Sequence, residues 1–417
     1  YGLIAIPIAM LGLPIYIYLP SYYSAEFSLS LSVIGIALLI ARSIDVFTDP
    51  MVGVWSDKIH QKLSRSNQIL LGAITLSICI YPLFLPDKEW VNGFFLFALS
   101  FLSYFAWTII QVPYLAMAAE FKTQSHIRGK LIAWREALSI VGVLFMLLLP
   151  FILGYQVTEQ AFYEWFVVIF IIFLISGALL LKSLKNHSDI KPPSNNLEKK
   201  SPKNLFNQIK LIKQQHPEAL ILLTPYFLNN LANAIPATLF LIFVEQYLRL
   251  SEQAGLFLLI YFIAGIISLP IWLNLAKKFN RITVWRASIL LSILSFLLVF
   301  LLDEGDANLY LAICVLTGLS VAIDIALPAA MQADISNQIE EKSQNMHGLL
   351  FGVWGMLTKL SLALAVGFSL PIVDGLKSLQ MESDTAMLII YALPAILLKI
   401  YVWVKLKYIA ADLKKII

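Results

Sequence analysis

Apolar runs of about twenty residues follow one another along this chain with only short polar breaks between them. A helix needs roughly 20 apolar residues to cross the hydrocarbon core of a bilayer, and within that core each backbone polar group must be satisfied inside its own segment. A bundle of membrane-spanning helices is therefore the main option open to the sequence. Twelve spans can be drawn, over approximately 2–23, 29–56, 67–86, 90–119, 131–153, 162–182, 218–247, 252–276, 283–302, 307–333, 347–373 and 385–408. The first run lacks a basic leading region and a small-residue cleavage site and leads directly into the second, so it reads as a span. Composition excludes the soluble alternative: 59% of the residues are hydrophobic and 13% charged, against about 25% charged in ordinary soluble domains. The formal charge of +4 is no sign of a nucleic-acid partner, because loop Lys and Arg in a membrane protein record topology.

Those bases fall in alternate loops: Lys58, Lys62 and Arg65; Lys122, Arg128 and Lys130; the Lys-rich stretch 182–213; and Lys277, Lys278 and Arg281. The opposite loops carry acids such as Glu26, Glu159 and Asp303, so the positive-inside rule puts both termini in the cytoplasm. The polar stretch 183–217, with Pro192, Pro193 and Pro202, divides six spans from six. The expected organisation is a six-helix bundle over 1–182, a cytoplasmic linker over 183–217 and a second six-helix bundle over 218–417. A shift of about 220 residues lays Gly35, Leu38 and Pro50 on Gly255, Leu258 and Pro270. Two parallel halves of this kind are the pattern of major facilitator transporters.

The departures from the repeat are the informative part. Where the first half has Asp45 and Asp49, the second has Gly265 and Leu269. Arg42, Asp45 and Asp49 are spaced 3 and 4 apart and share one helix face, with Thr48 beside them. Charges at bilayer depth are costly and mark function by default; a structural Arg-Asp pair would leave the second acid unexplained. Arg135, Glu136, Asp324 and Lys359 also fall within spans, so the set holds three cations and four anions. One bound monovalent cation, or one proton on a shifted carboxyl, would balance it. Asp324 is read as a contact for a polar substrate group or as a partner of Lys359, and Glu136 as a gating or structural acid. Gly53, Asp57 and Lys58 lie where a cytoplasmic gating loop is expected, with Lys62 and Arg65 either part of it or topology markers. Aromatic residues near the span ends, including Tyr22, Tyr23, Trp90, Trp165 and Tyr247, read as interface belt and packing.

No HExxH, no Gly-rich phosphate loop, no Cys or His cluster with metal spacing and no Ser-His-Asp set on one membrane face occurs. Enzyme chemistry and a bound cofactor are not expected, and Cys79 and Cys314, both in apolar runs, suggest neither disulfides nor a thiolate metal site.

The segment Ala41 to Pro50 (ARSIDVFTDP), with Gly53 and Asp57 after it, resembles the second-helix signature of the glycoside-pentoside-hexuronide:cation symporters, the melibiose permease-like family. Further matches are Gln111 to Tyr114, Trp134 to Glu136, Asp324 to Pro328 with Ala333 and Asp334, and Thr358 to Leu360. The resemblance implies a major facilitator fold that couples a small solute to Na+, Li+ or H+ by alternating access, as a monomer in a bacterial-type inner membrane. It implies a cation site at Asp45 and Asp49 (the metal ligands if sodium couples) with Thr108, Thr48 standing where that type has Asn. It makes Lys359 and Arg42 charge-balancing groups and places Arg135 near the solute. The acids that hold galactosides in the first and fourth helices are missing: no acid lies between Tyr1 and Pro20, and Gln111 fills the fourth-helix position. The substrate set is thus Gln111, Arg135, Asp324 and Tyr16, for a sugar or glycoside; a lysolipid or amphiphile is the alternative, since a branch of the same fold serves lysolipids.

Overall fold

In a computed structural model the described residues are 1–59, 62–120, 125–184, 218–342, 347–378 and 383–413. Among them, twelve helices are long and apolar enough to cross a membrane, and there is no strand. We number them α1 (Gly2–Phe27), α2 (Leu31–Ile59), α3 (Arg65–Phe84), α4 (Gly93–Glu120), α5 (Ser125–Leu153), α6 (Gln160–Leu184), α7 (Leu223–Tyr247), α8 (Ala254–Lys278), α9 (Arg281–Leu301), α10 (Ala307–Lys342), α11 (His347–Ser378) and α12 (Ser383–Leu413). Some described ends fall elsewhere than hydropathy places them. Thus α10 runs on past the expected end at 333, because 334–342 holds no Gly or Pro, and α1 continues to Phe27, where Ser28 adopts φ 54°. Helices α4, α10 and α11 pass through Pro113, Pro328 and Pro371 without ending.

The chain forms two compact units, Tyr1–Glu198 and Lys199–Ile417. The boundary falls inside the stretch 183–217, whose residues from 185 onward lie outside the described ones. Each unit repeats one pattern of packing. In the first, α1 packs on α5, α2 on α4, and α3 on α4 and α6; in the second, α7 packs on α11, α8 on α10, and α9 on α10 and α12. Details recur too. Tyr23 Oη donates to the carbonyl of Leu83 at the end of α3 (2.6 Å), and Tyr247 Oη donates to Leu302 O just after α9 (2.5 Å). A helix end leaves carbonyls without partners, and the same residue type satisfies one in each unit. Ser64 caps α3 and Asn280 caps α9 by accepting backbone N–H bonds. Tyr22, Tyr23 and Tyr247 are therefore interior residues rather than a belt at the membrane surface, whereas Trp90 and Trp165 are exposed.

Close helix approach relies on glycine at two places. A Cβ at Gly142 would stand 2.3 Å from Ile6 O, and one at Gly318 2.3 Å from Tyr261 O. Such small-residue contacts let membrane helices pack by dispersion, since lipid offers no hydrophobic force between them. Gly265, at the repeat position of Asp45, faces the same seam: its Cβ would lie 3.3 Å from Gly318 O. In the second unit α8 and α10 thus close tightly where the first unit holds carboxylates between α2 and α4.

Candidate cation and substrate site

Helices α2 and α4 bring Asp45, Asp49, Thr48 and Thr108 together. Thr108 Oγ1 stands 2.8 Å from Asp49 Oδ1 and 3.3 Å from Asp45 Oδ1, so one hydroxyl bridges both carboxylates. Thr48 Oγ1 lies 3.1 Å from Asp45 Oδ1 and 2.8 Å from the Asp45 backbone carbonyl. Asp45, Thr48 and Thr108 are buried and Asp49 is half-buried. The i, i+4 spacing on α2 puts the two acids one turn apart on one face, and α4 supplies its hydroxyl from across the seam. The donor set is oxygen throughout, which suits a hard alkali cation rather than a soft transition metal; among the described residues no group of three or more His, Cys, Asp and Glu gathers. Two carboxylates this close repel unless a metal ion or a proton lies between them.

Arg42, one turn before Asp45, is buried. Its guanidinium carbon sits 3.8 Å from the centre of the Tyr16 ring and 5.4 Å from that of Tyr104. Tyr16 in turn stacks with Trp107 at 5.9 Å. Tyr16, expected from the sequence to be a substrate contact, is thus also part of the aromatic cage around Arg42. Gln111 lies on α4 one turn past Thr108 and is exposed. On α5, half-buried Arg135 donates from Nε to Glu136 Oε1 at 3.0 Å and from a terminal nitrogen to the same oxygen. Adjacent helix positions point about 100° apart, but the long Arg side chain bends round, so the two are partners.

Asp324 on α10 is the centre of a cluster that sequence reasoning missed in part. Its Oδ2 accepts from Lys399 Nζ of α12 at 2.9 Å and its Oδ1 from Ser288 Oγ of α9 at 2.6 Å. Lys399 Nζ also donates to Asn229 Oδ1 of α7 at 3.1 Å. Both charged side chains have 0% exposure. The ion pair is with Lys399, not with Lys359, which is half-buried on α11. Lys399 is a further cation within the spans, and its charge is met by Asp324. A Lys flanked by apolar residues on both sides, as in AILLKIYVW, was the available signal, since such a side chain needs a partner at that depth.

In the expected gating loop, Gly53 is half-buried on α2 and Lys58 exposed, while the side chain of Asp57 lies outside the described residues. The buried group there is Arg65, whose Nη1 donates to Ser56 Oγ at 2.5 Å. Ser56 Oγ donates to Gln68 Oε1, and Gln68 Nε2 donates to Leu63 O at 2.8 Å. Arg65 therefore ties α2 to α3 from inside rather than merely marking topology.

Twelve helices in two matching six-helix units, with an oxygen cluster inside the first, define a transporter of the major facilitator class and not an enzyme. Residues 1–398 match the family described as MFS/sugar transport protein, and the chain belongs to that family. Among similar proteins, sodium-dependent lysophosphatidylcholine symporter 1 of Homo sapiens is 23% identical, over 80% of this chain and 67% of that protein. The putative glycoside/cation symporter YagG of Escherichia coli (strain K12) is 24% identical, over 83% of this chain and 75% of that one. In fold alone, the crystal structure of the nucleoside transporter NupG superposes with a TM-score of 0.66 at 14% identity, over 97% of this chain and 98% of that chain.

Proposed function

We propose that the chain is a cation-coupled symporter for a small oxygen-rich organic solute, of the glycoside kind, with the coupling cation carried by Asp45, Asp49, Thr48 and Thr108. The observation that carries this reading is the hydroxyl of Thr108 placed between two carboxylates of another helix. Arg42, Asp45 and Asp49 sum to one negative charge, so one Na+, Li+ or H+ neutralises these three groups. A bare negative charge is costly in a closed, low-dielectric interior, so the carrier closes readily when loaded or when the charge is otherwise met; Lys359 is the candidate for that second role. Gln111, Arg135 and Tyr16 are the proposed solute contacts in the first unit. In the second, the ion pair with Lys399 makes Asp324 a positioning residue for α10 in this reading. Gly53, Asp57 and Lys58 are assigned to the cytoplasmic gate. Alternating access as a monomer in a bacterial-type inner membrane, with both termini cytoplasmic, completes the proposal.

A lysolipid is the second reading, favoured by the similarity to the human lysophosphatidylcholine symporter and by the lack of any acid in the first span. The test is uptake into proteoliposomes under an imposed Na+, Li+ or H+ gradient, with glycosides and lysophosphatidylcholine as solutes. Asp45→Asn and Asp49→Asn should each abolish accumulation against a gradient; accumulation at the wild-type level in both would remove the proposed cation site.

A further inference from the structure

Serine in a membrane helix ordinarily turns its hydroxyl back onto a carbonyl of the preceding turn. In this chain Ser77, Ser295 and Ser369 do so, at 2.8, 2.7 and 2.5 Å. Ser100 and Ser103 of α4 do not: their hydroxyls are buried and have no hydrogen-bond partner among the described residues. The indole N–H of Trp107, on the same helix, and Nε of Arg42 are in the same condition. At 100° per residue, Ser100, Ser103, Tyr104, Trp107 and Gln111 occupy about 100° of arc, one face of α4, with Thr108 at its edge. The ring contacts hold this face together with its neighbours, since Tyr16 stacks on Trp107 and carries the Arg42 guanidinium.

Buried polar groups in folded proteins almost always find partners, and those that do not call for a water or a ligand. The chemistry of the missing partner follows from the donors. Arginine and tryptophan side chains only donate, and serine can donate. What fits against them is a group rich in acceptor oxygens. We propose that Ser100, Ser103 and Trp107, with Arg42 beside them, form a subsite in the first unit that receives the acceptor oxygens of the transported solute. The hydroxyl and ether oxygens of a glycoside and the phosphodiester oxygens of a lysolipid share that chemistry. This inference rests on the transport reading above. It adds a consequence: the subsite and the cation cluster share α2 and α4, Arg42 standing one turn from Asp45 and Trp107 next to Thr108, so solute and cation order the same two helices.

Two measurements test it. In a background with buried Cys79 and Cys314 replaced by Ala, Ser103→Cys is exposed to a small charged methanethiosulfonate reagent with and without Na+. Separately, isothermal titration of the purified full chain measures methyl glycosides, lysophosphatidylcholine and Na+ against wild type, Trp107→Phe and Ser103→Ala. The expected result is labelling of Ser103→Cys and a roughly tenfold loss of affinity for the responding solute in Trp107→Phe, which keeps an aromatic ring and loses the indole N–H with part of the ring area. Sodium affinity should stay within about twofold, because the carboxylates are untouched. A response to glycoside alone or to lysolipid alone says which oxygens fill the subsite. An unreactive Ser103→Cys would make the strip a sealed packing seam and overturn the proposal. Labelling with wild-type solute affinity in both variants would make it a hydrated seam only and overturn the proposal equally. If no solute binds wild type while Na+ does, the solute classes proposed above fail, and the strip is then judged by labelling, where absence of reaction refutes it.

Discussion

The ion pair between Asp324 and Lys399 offers a sharp test of how the second unit is built. Both side chains are fully enclosed, their charged atoms are 2.9 Å apart, and Ser288 and Asn229 take up remaining hydrogen-bonding capacity. Lys399→Met would remove the cation and leave a carboxylate buried with only Ser288 as donor. Breaking one side of such a pair costs about 3–5 kcal/mol, because the stranded charge keeps its desolvation penalty and loses its attraction. At roughly 2–4 °C per kcal/mol for a unit of this size, the midpoint of thermal unfolding should fall by about 6–20 °C. Asp324→Leu alone should fall similarly, with an ammonium group stranded instead. The double variant Asp324→Leu with Lys399→Met strands neither, and pairs replaced together by apolar residues are often neutral in stability. It should therefore recover most of the loss. The assay is unfolding of the detergent-purified protein followed by intrinsic fluorescence. A double variant as unstable as the sum of the singles, or a single variant shifted by less than about 2 °C, would refute the argument that these two charges exist for one another.

Other consequences concern the seams between helices. Thr108→Val removes the bridging hydroxyl while keeping the side-chain shape; a hydrogen bond to a charged group is worth about 1.5–3 kcal/mol, so the cation concentration for half-maximal uptake should rise about 10- to 100-fold, with Thr108→Ser close to wild type. Gly318→Val should reduce folded yield in membranes and the unfolding midpoint, because even its Cβ would meet Tyr261 O at 2.3 Å; wild-type yield and midpoint would show that α8 and α10 can separate at little cost.

Much of the fold was legible because hydropathy and length decide what crosses a membrane. The spacing of Arg42, Asp45 and Asp49 revealed a polar face, while Thr108 joined it only through the family resemblance, as its contact with Asp45 spans 63 residues. Long-range pairing is what the sequence hides. Lys399 is plain to see in its apolar run, and its depth calls for a partner, but nothing local says that the partner is Asp324, 75 residues away. By sequence position Tyr23 and Tyr247 match belt aromatics, and only the folded chain brings them to the helix-end carbonyls of Leu83 and Leu302. The strip of Ser100, Ser103 and Trp107 is unreadable for the opposite reason: serine in an apolar helix normally satisfies itself, and only the folded structure shows the ones that do not.

The most direct test of the central claim is cation binding by the protein itself, read as thermal stabilisation across a series of Na+, Li+ and choline concentrations at two pH values. A cation at 100 times its dissociation constant stabilises the native state by about 2.7 kcal/mol. Wild type should gain that in Na+, in Li+ or on lowering pH, with choline inert, and the double variant Asp45→Asn with Asp49→Asn should gain nothing. Equal stabilisation of the double variant and wild type would place the cation elsewhere in the molecule and contradict the account.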